Sequence, residues 1–205
     1  MAKTVYLTTP LKKEDVEALE IDDVVYLSGE LYTMIYYDHF TDILDMVEAG
    51  QTPPINMQGG VMYHTGTIFR RLGNGEYDFR GISTTTSSKF NAFVPDFIRK
   101  IGIRAVMGKG GMDKNCLDAM QECGCVYLAL AGGCSAIYKE KVIRIEEEYW
   151  PERHKSWADN MLRISVENYG PMFVTMDAHG HSIYQGTGGA DDMNRQRIYE
   201  KLGIK

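Results

Sequence analysis

With 205 residues and 23.2 kDa, the chain has about the length of one domain and enough of it to bury a sizeable core. Hydrophobic residues at 44% and charged residues at 24% exclude a disordered chain. A net charge of −6 excludes a non-specific nucleic-acid binder, because phosphate binding needs clustered positive charge.

Residues 4–9 (TVYLTT) read as a strand ended by Pro10, and 14–18 as a short helix or turn. Residues 23–34 are β-rich, with Gly29 as a bulge or break. Phe40, Ile43, Leu44 and Val47 recur at i, i+3, i+4 and i+7, which predicts an amphipathic helix from Asp38 to Val47 with Gly50 as its stop. After a loop at 51–60, residues 61–65 and 67–71 read as a strand pair around Gly66. Gly73-Asn74-Gly75 is a hairpin turn and 77–82 continue the sheet.

The polar run Ser83–Ser88 precedes a helix marked by Phe93, Phe97, Ile98 and Ile101. A short buried strand, 103–107, runs into Gly108-Lys109-Gly110-Gly111-Met112; a helix follows at 114–122 and a strand at 125–130. Residues 135–139 start a short helix and 141–149 alternate as a strand. Residues 172–176 and 182–185 flank a turn at Asp177-Ala178-His179-Gly180, and 187–205 form a peripheral, Gly-rich tail that turns helical at about Asp191 to Leu202. No repeat or linker divides the chain, so 1–205 read as a single α/β domain, a mixed sheet with packed helices.

No apolar run reaches the roughly 18 residues of a membrane span, and the start MAKTVYLTTPLKKEDV carries no signal-peptide stretch. The expectation is therefore a cytoplasmic protein with Cys116, Cys123, Cys125 and Cys134 as thiols. Their spacing matches no zinc or iron–sulfur pattern. Cys116, Met120 and Cys123 share a helical face, as packing residues do; a redox role for Cys123-Gly-Cys125 is the alternative.

Two loops point to chemistry. Ser83 to Lys89 offers six hydroxyls and a cation before a helix, an anion site or a polar turn with a cap. Gly108 to Met112 lets a ligand approach backbone beside a lysine, or is a plain strand-to-helix turn. In open α/β sheets the ligand crevice lies at the carboxyl ends of strands, so two such loops there predict a carboxylate or phosphate ligand. His39 opens a helix beside Asp38, for acid–base work or capping, and His64 sits mid-strand as a structural residue. Asp177, His179 and His181 have strand spacing for a metal hydrolase, but Gly180 favours a hairpin turn.

The motifs LTTP, VVYLSGEL, the TTS run before a helix, VMGKGGM, LAGGCSA and GPMFVTMDAHG stand in order over residues 5–186. In this the chain resembles β subunits of the L(+)-tartrate dehydratase type and, more broadly, the C-terminal domain of class I, iron–sulfur-dependent fumarases. The resemblance implies a swivelling β/β/α domain and a separate α subunit whose own cysteines carry a [4Fe–4S] cluster, with no metal bound by this chain. It implies a site between the two chains, in a homodimer or α2β2 assembly, and reversible dehydration of a 2-hydroxy (di)carboxylic acid, with iron as Lewis acid and a base taking the proton. Carried over residue by residue, Thr85 falls on the proposed base, Lys109 on the substrate-binding lysine and His39 on the catalytic histidine. Thr86, Ser87, Lys89, Gly108 and Gly110 fall on substrate-binding positions.

The departures are specific. The family's R-D-x-x-H reads Ile35-Tyr36-Tyr37-Asp38-His39, its second arginine is Lys89, and its L-G-M-x-E stretch is Arg153-His154-Lys155-Ser156-Trp157. Arginine grips a carboxylate through two parallel hydrogen bonds and lysine cannot copy that. A divergent substrate, with one fewer carboxylate or a bulkier apolar end, follows; so does the alternative of a non-enzymic module that binds a small carboxylate or supports assembly.

Overall fold

The computed structural model describes residues 2–152, 160–184 and 198–203. In chain order they form β1 (Thr4–Thr8), α1 (Lys13–Glu17), β2 (Val24–Thr33), α2 (Tyr37–Glu48), β3 (Val61–Tyr63), β4 (Thr65–Arg71), β5 (Tyr77–Thr84) and a 3-10 turn (Ser87–Phe90). There follow α3 (Val94–Asp96) running into a π turn (Phe97–Ile101), β6 (Ala105–Gly108), α4 (Lys114–Cys123), β7 (Val126–Ala129), α5 (Ser135–Lys139), β8 (Val142–Tyr149) and β9 (Met161–Met176). None of the described helices is long and apolar enough to cross a membrane.

Seven strands form one mixed sheet in the order β1-β2-β3-β6-β7-β9-β8, and β4 with β5 makes a separate two-stranded ribbon. The strands β1, β2, β3, β6 and β7 run parallel. β9 runs against β2, β7 and β8. Because β9 pairs with both β7 and β2, the run β2-β3-β6-β7-β9 returns on itself as a ring.

Successive strand residues point to opposite faces, and here both faces are buried. Val61, Tyr63, Ala105, Met107, Val126 and Leu128 join one core with Leu27, Leu31, Leu162 and Ile164. Their neighbours Met62, Val106 and Tyr127 join a second core with Phe40, Ile43, Phe97, Leu117 and Met120 from the helical segments. Strands buried on both faces read as continuous apolar runs, as IRAVM and CVYLAL do. The helix α4 is bounded as its sequence demands: Asp113 accepts a hydrogen bond from the Cys116 N–H at 3.1 Å, and Gly124 ends it at φ 72°.

Several expectations are corrected. The break between β3 and β4 falls at His64, not Gly66, and these strands do not pair with each other: β3 enters the sheet and β4 the ribbon. The segment expected at 77–82 to continue the sheet pairs only with β4. The helix after Phe93 is one short α turn followed by a π turn. The strand expected at 172–176 begins eleven residues earlier, at Met161; of the strand expected at 182–185, the described residues 182–184 contribute a single bridge, Met176 to Ser182. Most of the tail lies outside the described residues; 198–202 are helical. The stretch Arg153 to Trp157 also lies outside them.

Candidate functional site

The parallel strands β2, β3, β6 and β7 leave the sheet at one rim, the place where open α/β sheets present ligands. Their exits carry Ile35 to His39, His64, Lys109 and Ala131-Gly132-Gly133 in turn. The hydroxyl segment that leaves β5 is wedged between two of them. The Thr85 N–H donates to the His64 carbonyl at 2.8 Å, the Lys109 N–H to the Thr85 carbonyl at 3.2 Å, and the Ser87 N–H to the Lys109 carbonyl at 3.0 Å. Thr86 and Lys109 thereby form a parallel bridge. The two loops singled out in the sequence are one structural unit.

Thr85, Thr86 and Lys109 are half-buried, and Gly110 is exposed. Gly110 holds φ 80° and a Cβ there would touch only Thr86 Cγ2, at 3.4 Å. The Lys109 stem runs past Gly132, where a Cβ would sit 3.7 Å from Lys109 Cδ. Lys109 makes no ion pair among the described residues. An ammonium on a glycine-flanked loop that is bridged to a threonine pair, with no ion-pair partner among the described residues, can hold a carboxylate from outside.

Two expected substrate contacts face inward instead. Ser87 is 0% exposed; its Oγ lies 2.9 Å from His64 Nδ1 and accepts from the Tyr127 hydroxyl at 2.9 Å. Gly108 is needed for that approach: a Cβ there would lie 1.9 Å from Ser87 Oγ and 3.0 Å from the Tyr127 hydroxyl. These residues are internal supports, and the rim is left to Thr85 and Thr86. Burial pushes the Tyr127 hydroxyl well above its ordinary range and holds His64 down at about 3, as a neutral imidazole.

His39 is also 0% exposed. It sits in the first turn of α2, stacked on Trp150 at 5.4 Å and edge-on to Tyr36 at 5.7 Å. Lys89 is exposed at the end of the 3-10 turn, and Ile35 and Tyr36 are half-buried. Sequence reasoning left His64 as a structural strand residue; its position immediately after a strand that enters a parallel sheet was the missed signal.

The Asp177 turn is a hairpin device. Asp177 Oδ1 accepts from the N–H groups of His179 at 3.0 Å and His181 at 2.9 Å, and the His179 ring turns to the Glu17 carbonyl at 3.0 Å. Among the described residues no three His, Cys, Asp or Glu side chains converge on a metal position. The cysteines do not fit an iron–sulfur cluster either: Cys116 and Cys125 are sealed in the core, and burial pushes both thiols up. A cleft of about 530 Å³ elsewhere is lined by Thr9, Glu30, Tyr32, Glu147 and Arg163, but there Arg163 is already paired with Glu30 and Glu147.

The family model described as Fumarase C-terminus matches residues 1–187, and the chain belongs to that family. It is 34% identical, over 96% of both chains, to a Methanocaldococcus jannaschii protein provisionally named L(+)-tartrate dehydratase subunit beta. It is 29% identical to the L(+)-tartrate dehydratase subunit beta of Escherichia coli, over 86% of this chain and 85% of that one. It is 30% identical, over 89% of its own length, to a provisionally named class I fumarate hydratase of Geobacillus stearothermophilus, of which it spans 34%.

Proposed function

We propose that this chain is the β subunit of a hydro-lyase of the tartrate dehydratase and class I fumarase type, which removes water reversibly from a 2-hydroxy (di)carboxylic acid together with an α subunit. The observation that carries this reading is the Thr86–Lys109 bridge, which joins hydroxyls and an unpaired ammonium on one rim. The relatives' names agree with it, two of them being called subunit beta. The swivelling β/β/α arrangement and a [4Fe–4S] cluster on the α subunit belong to the same proposal.

Within it, Lys109 holds a substrate carboxylate as a point charge and the Thr86 hydroxyl donates to the same group. Thr85, whose backbone is held by hydrogen bonds on both sides, is the residue assigned here to take the proton from the neighbouring carbon. A threonine hydroxyl is a weak base, and the Lys109 ammonium beside it favours the charged form. His39, under Trp150, joins the site when the α subunit completes it. Ile35 and Tyr36 supply an apolar wall where the family has a charged pair, which is why the substrate diverges from fumarate and tartrate.

The test is anaerobic co-expression with an α-type chain and an assay of unsaturated C4 and C5 acids for hydration. Hydration that requires both chains supports the reading. An intact cluster with no activity on any such acid rejects it. Calorimetric binding of those acids to this chain alone would favour the non-enzymic module.

A further inference from the structure

The buried support behind the rim contains a histidine that no step above uses. His64 is 0% exposed, with Phe90 4.5 Å and Phe40 6.1 Å from its ring. An aromatic hydrocarbon would pack there without leaving polar atoms, yet His64 brings two nitrogens into the core, and Nε2 has no hydrogen-bond partner among the described residues. An unpaired buried donor is a standing cost, so the other nitrogen must offset it.

That nitrogen, Nδ1, lies 2.9 Å from Ser87 Oγ. Ser87 already accepts the Tyr127 proton at 2.9 Å. A serine hydroxyl has one proton to give, so it goes to Nδ1, and His64 carries its own proton on Nε2. The chain Tyr127–Ser87–His64 therefore runs in one direction, and the Ser87 N–H, bonded to the Lys109 carbonyl at 3.0 Å, ties the segment it holds to the Lys109 loop.

We propose that His64 is a positioning residue: its Nδ1 accepts the Ser87 hydroxyl proton and locks the Thr85–Ser87 segment against the Lys109 loop, setting the spacing between the Thr85 hydroxyl and the Lys109 ammonium. Burial keeps the imidazole neutral down to about pH 3, so the acceptor persists across the working range. The activity arm of the test rests on the function proposed above; the spectroscopic arm does not.

The spectroscopic test is nitrogen-15 imidazole NMR of the full wild-type chain. A neutral ring at pH 5, protonated on Nε2 only, is expected; an Nδ1–H tautomer or a charged ring overturns the proposal. Two variants then separate the nitrogens, because an asparagine amide mimics Nδ1 and a glutamine amide mimics Nε2. In His64→Gln the Ser87 and Lys109 amides should exchange about tenfold faster than in His64→Asn, with β9 amides unchanged. Equal exchange in the two variants overturns the proposal. If neither variant folds, Ser87→Ala must show the same loss of Lys109 protection. With the α subunit, His64→Gln should lower kcat about ten- to a hundredfold with KM nearly unmoved, since misplaced groups cost rate, and His64→Asn should recover most of it. Hydrogen exchange as expected with no activity in any chain would reject the hydro-lyase reading and leave the positioning role standing.

Discussion

Gly108→Ala gives a sharp test of the packing behind the rim. Gly108 has no left-handed backbone angle, so conformation alone would tolerate alanine. Space does not: the new Cβ would lie 1.9 Å from Ser87 Oγ, in a core where Ser87 is 0% exposed. Displacing that hydroxyl unpairs the Tyr127 hydroxyl and His64 Nδ1, at about 1–3 kcal/mol each, and the crowding itself costs roughly 1–3 kcal/mol. With partial relaxation the loss is about 3–5 kcal/mol. Gly110→Ala is the control, because Gly110 does hold φ 80° but a Cβ would meet only Thr86 Cγ2 at 3.4 Å; its cost is the left-handed conformation, about 1–2 kcal/mol. For a chain of this size about 1 kcal/mol moves Tm by roughly 2–4 °C. Calorimetric melting should put Gly108→Ala about 6–20 °C below wild type and Gly110→Ala about 2–8 °C below. Adding Ser87→Ala to Gly108→Ala should cost less than the sum of the single variants, since the clash disappears with the hydroxyl. A Gly108→Ala protein that melts no lower than Gly110→Ala refutes the reasoning.

Lys109→Met should leave Tm within about 2 °C of wild type and lower kcat/KM of the two-chain enzyme at least about 30-fold, chiefly through KM, because it removes the charge that meets the substrate. Thr85→Val should lower kcat about a hundredfold or more while Thr85→Ser keeps most of it, read by steady-state kinetics. Asp23 tests the fold's pH dependence: burial pushes its carboxyl up, but hydrogen bonds from the Glu20 and Lys3 N–H groups and the Lys3 ammonium outweigh that and leave it below its ordinary 3.8. A depressed folded value means the stabilisation is complete above about pH 3.8 and is lost as pH falls through the folded value. Asp23→Asn should therefore destabilise the chain at pH 7, with the difference narrowing in acid, as urea melts at several pH values would show. Arg71 grips Glu148 through two hydrogen bonds of 2.8 and 2.6 Å, and the Glu148 side chain is 2% exposed. Arg71→Met should cost about 1–3 kcal/mol by denaturant melting, less than a fully buried pair because half of the arginine is in water.

Local pattern made much of this legible. The 3.6-residue recurrence of Phe40, Ile43 and Leu44 marks α2, and the same three residues are buried. The alternation through Val142–Tyr149 marks β8. Leu162, Ile164 and Val166 alternate through β9 equally well, but β9 also contains Gly170-Pro171, a pair more usual at the end of a strand than within one. Ring closure is a pairing between residues as far apart as Thr33 and Leu162, and no local period records it. At the site, Thr85, Thr86 and Lys109 could be picked out because hydroxyl and glycine runs are poor packing material. The burial of Ser87 and Gly108 was not legible for the complementary reason: a buried serine and its matching glycine look the same in one dimension as exposed ones. His64 could be seen as structural, but its partner Ser87 is 23 residues away and only the fold joins them.

In the function proposed here, Thr85 and Lys109 form half of an active site that another chain completes. Its most direct test is anaerobic turnover of an unsaturated acid by the α-type chain alone, by this chain alone, and by the pair with wild-type or Lys109→Met β subunit. The account predicts turnover only for the wild-type pair, with the variant pair assembled but crippled. Full turnover by the α-type chain alone, or wild-type kcat/KM from the Lys109→Met pair, would contradict it.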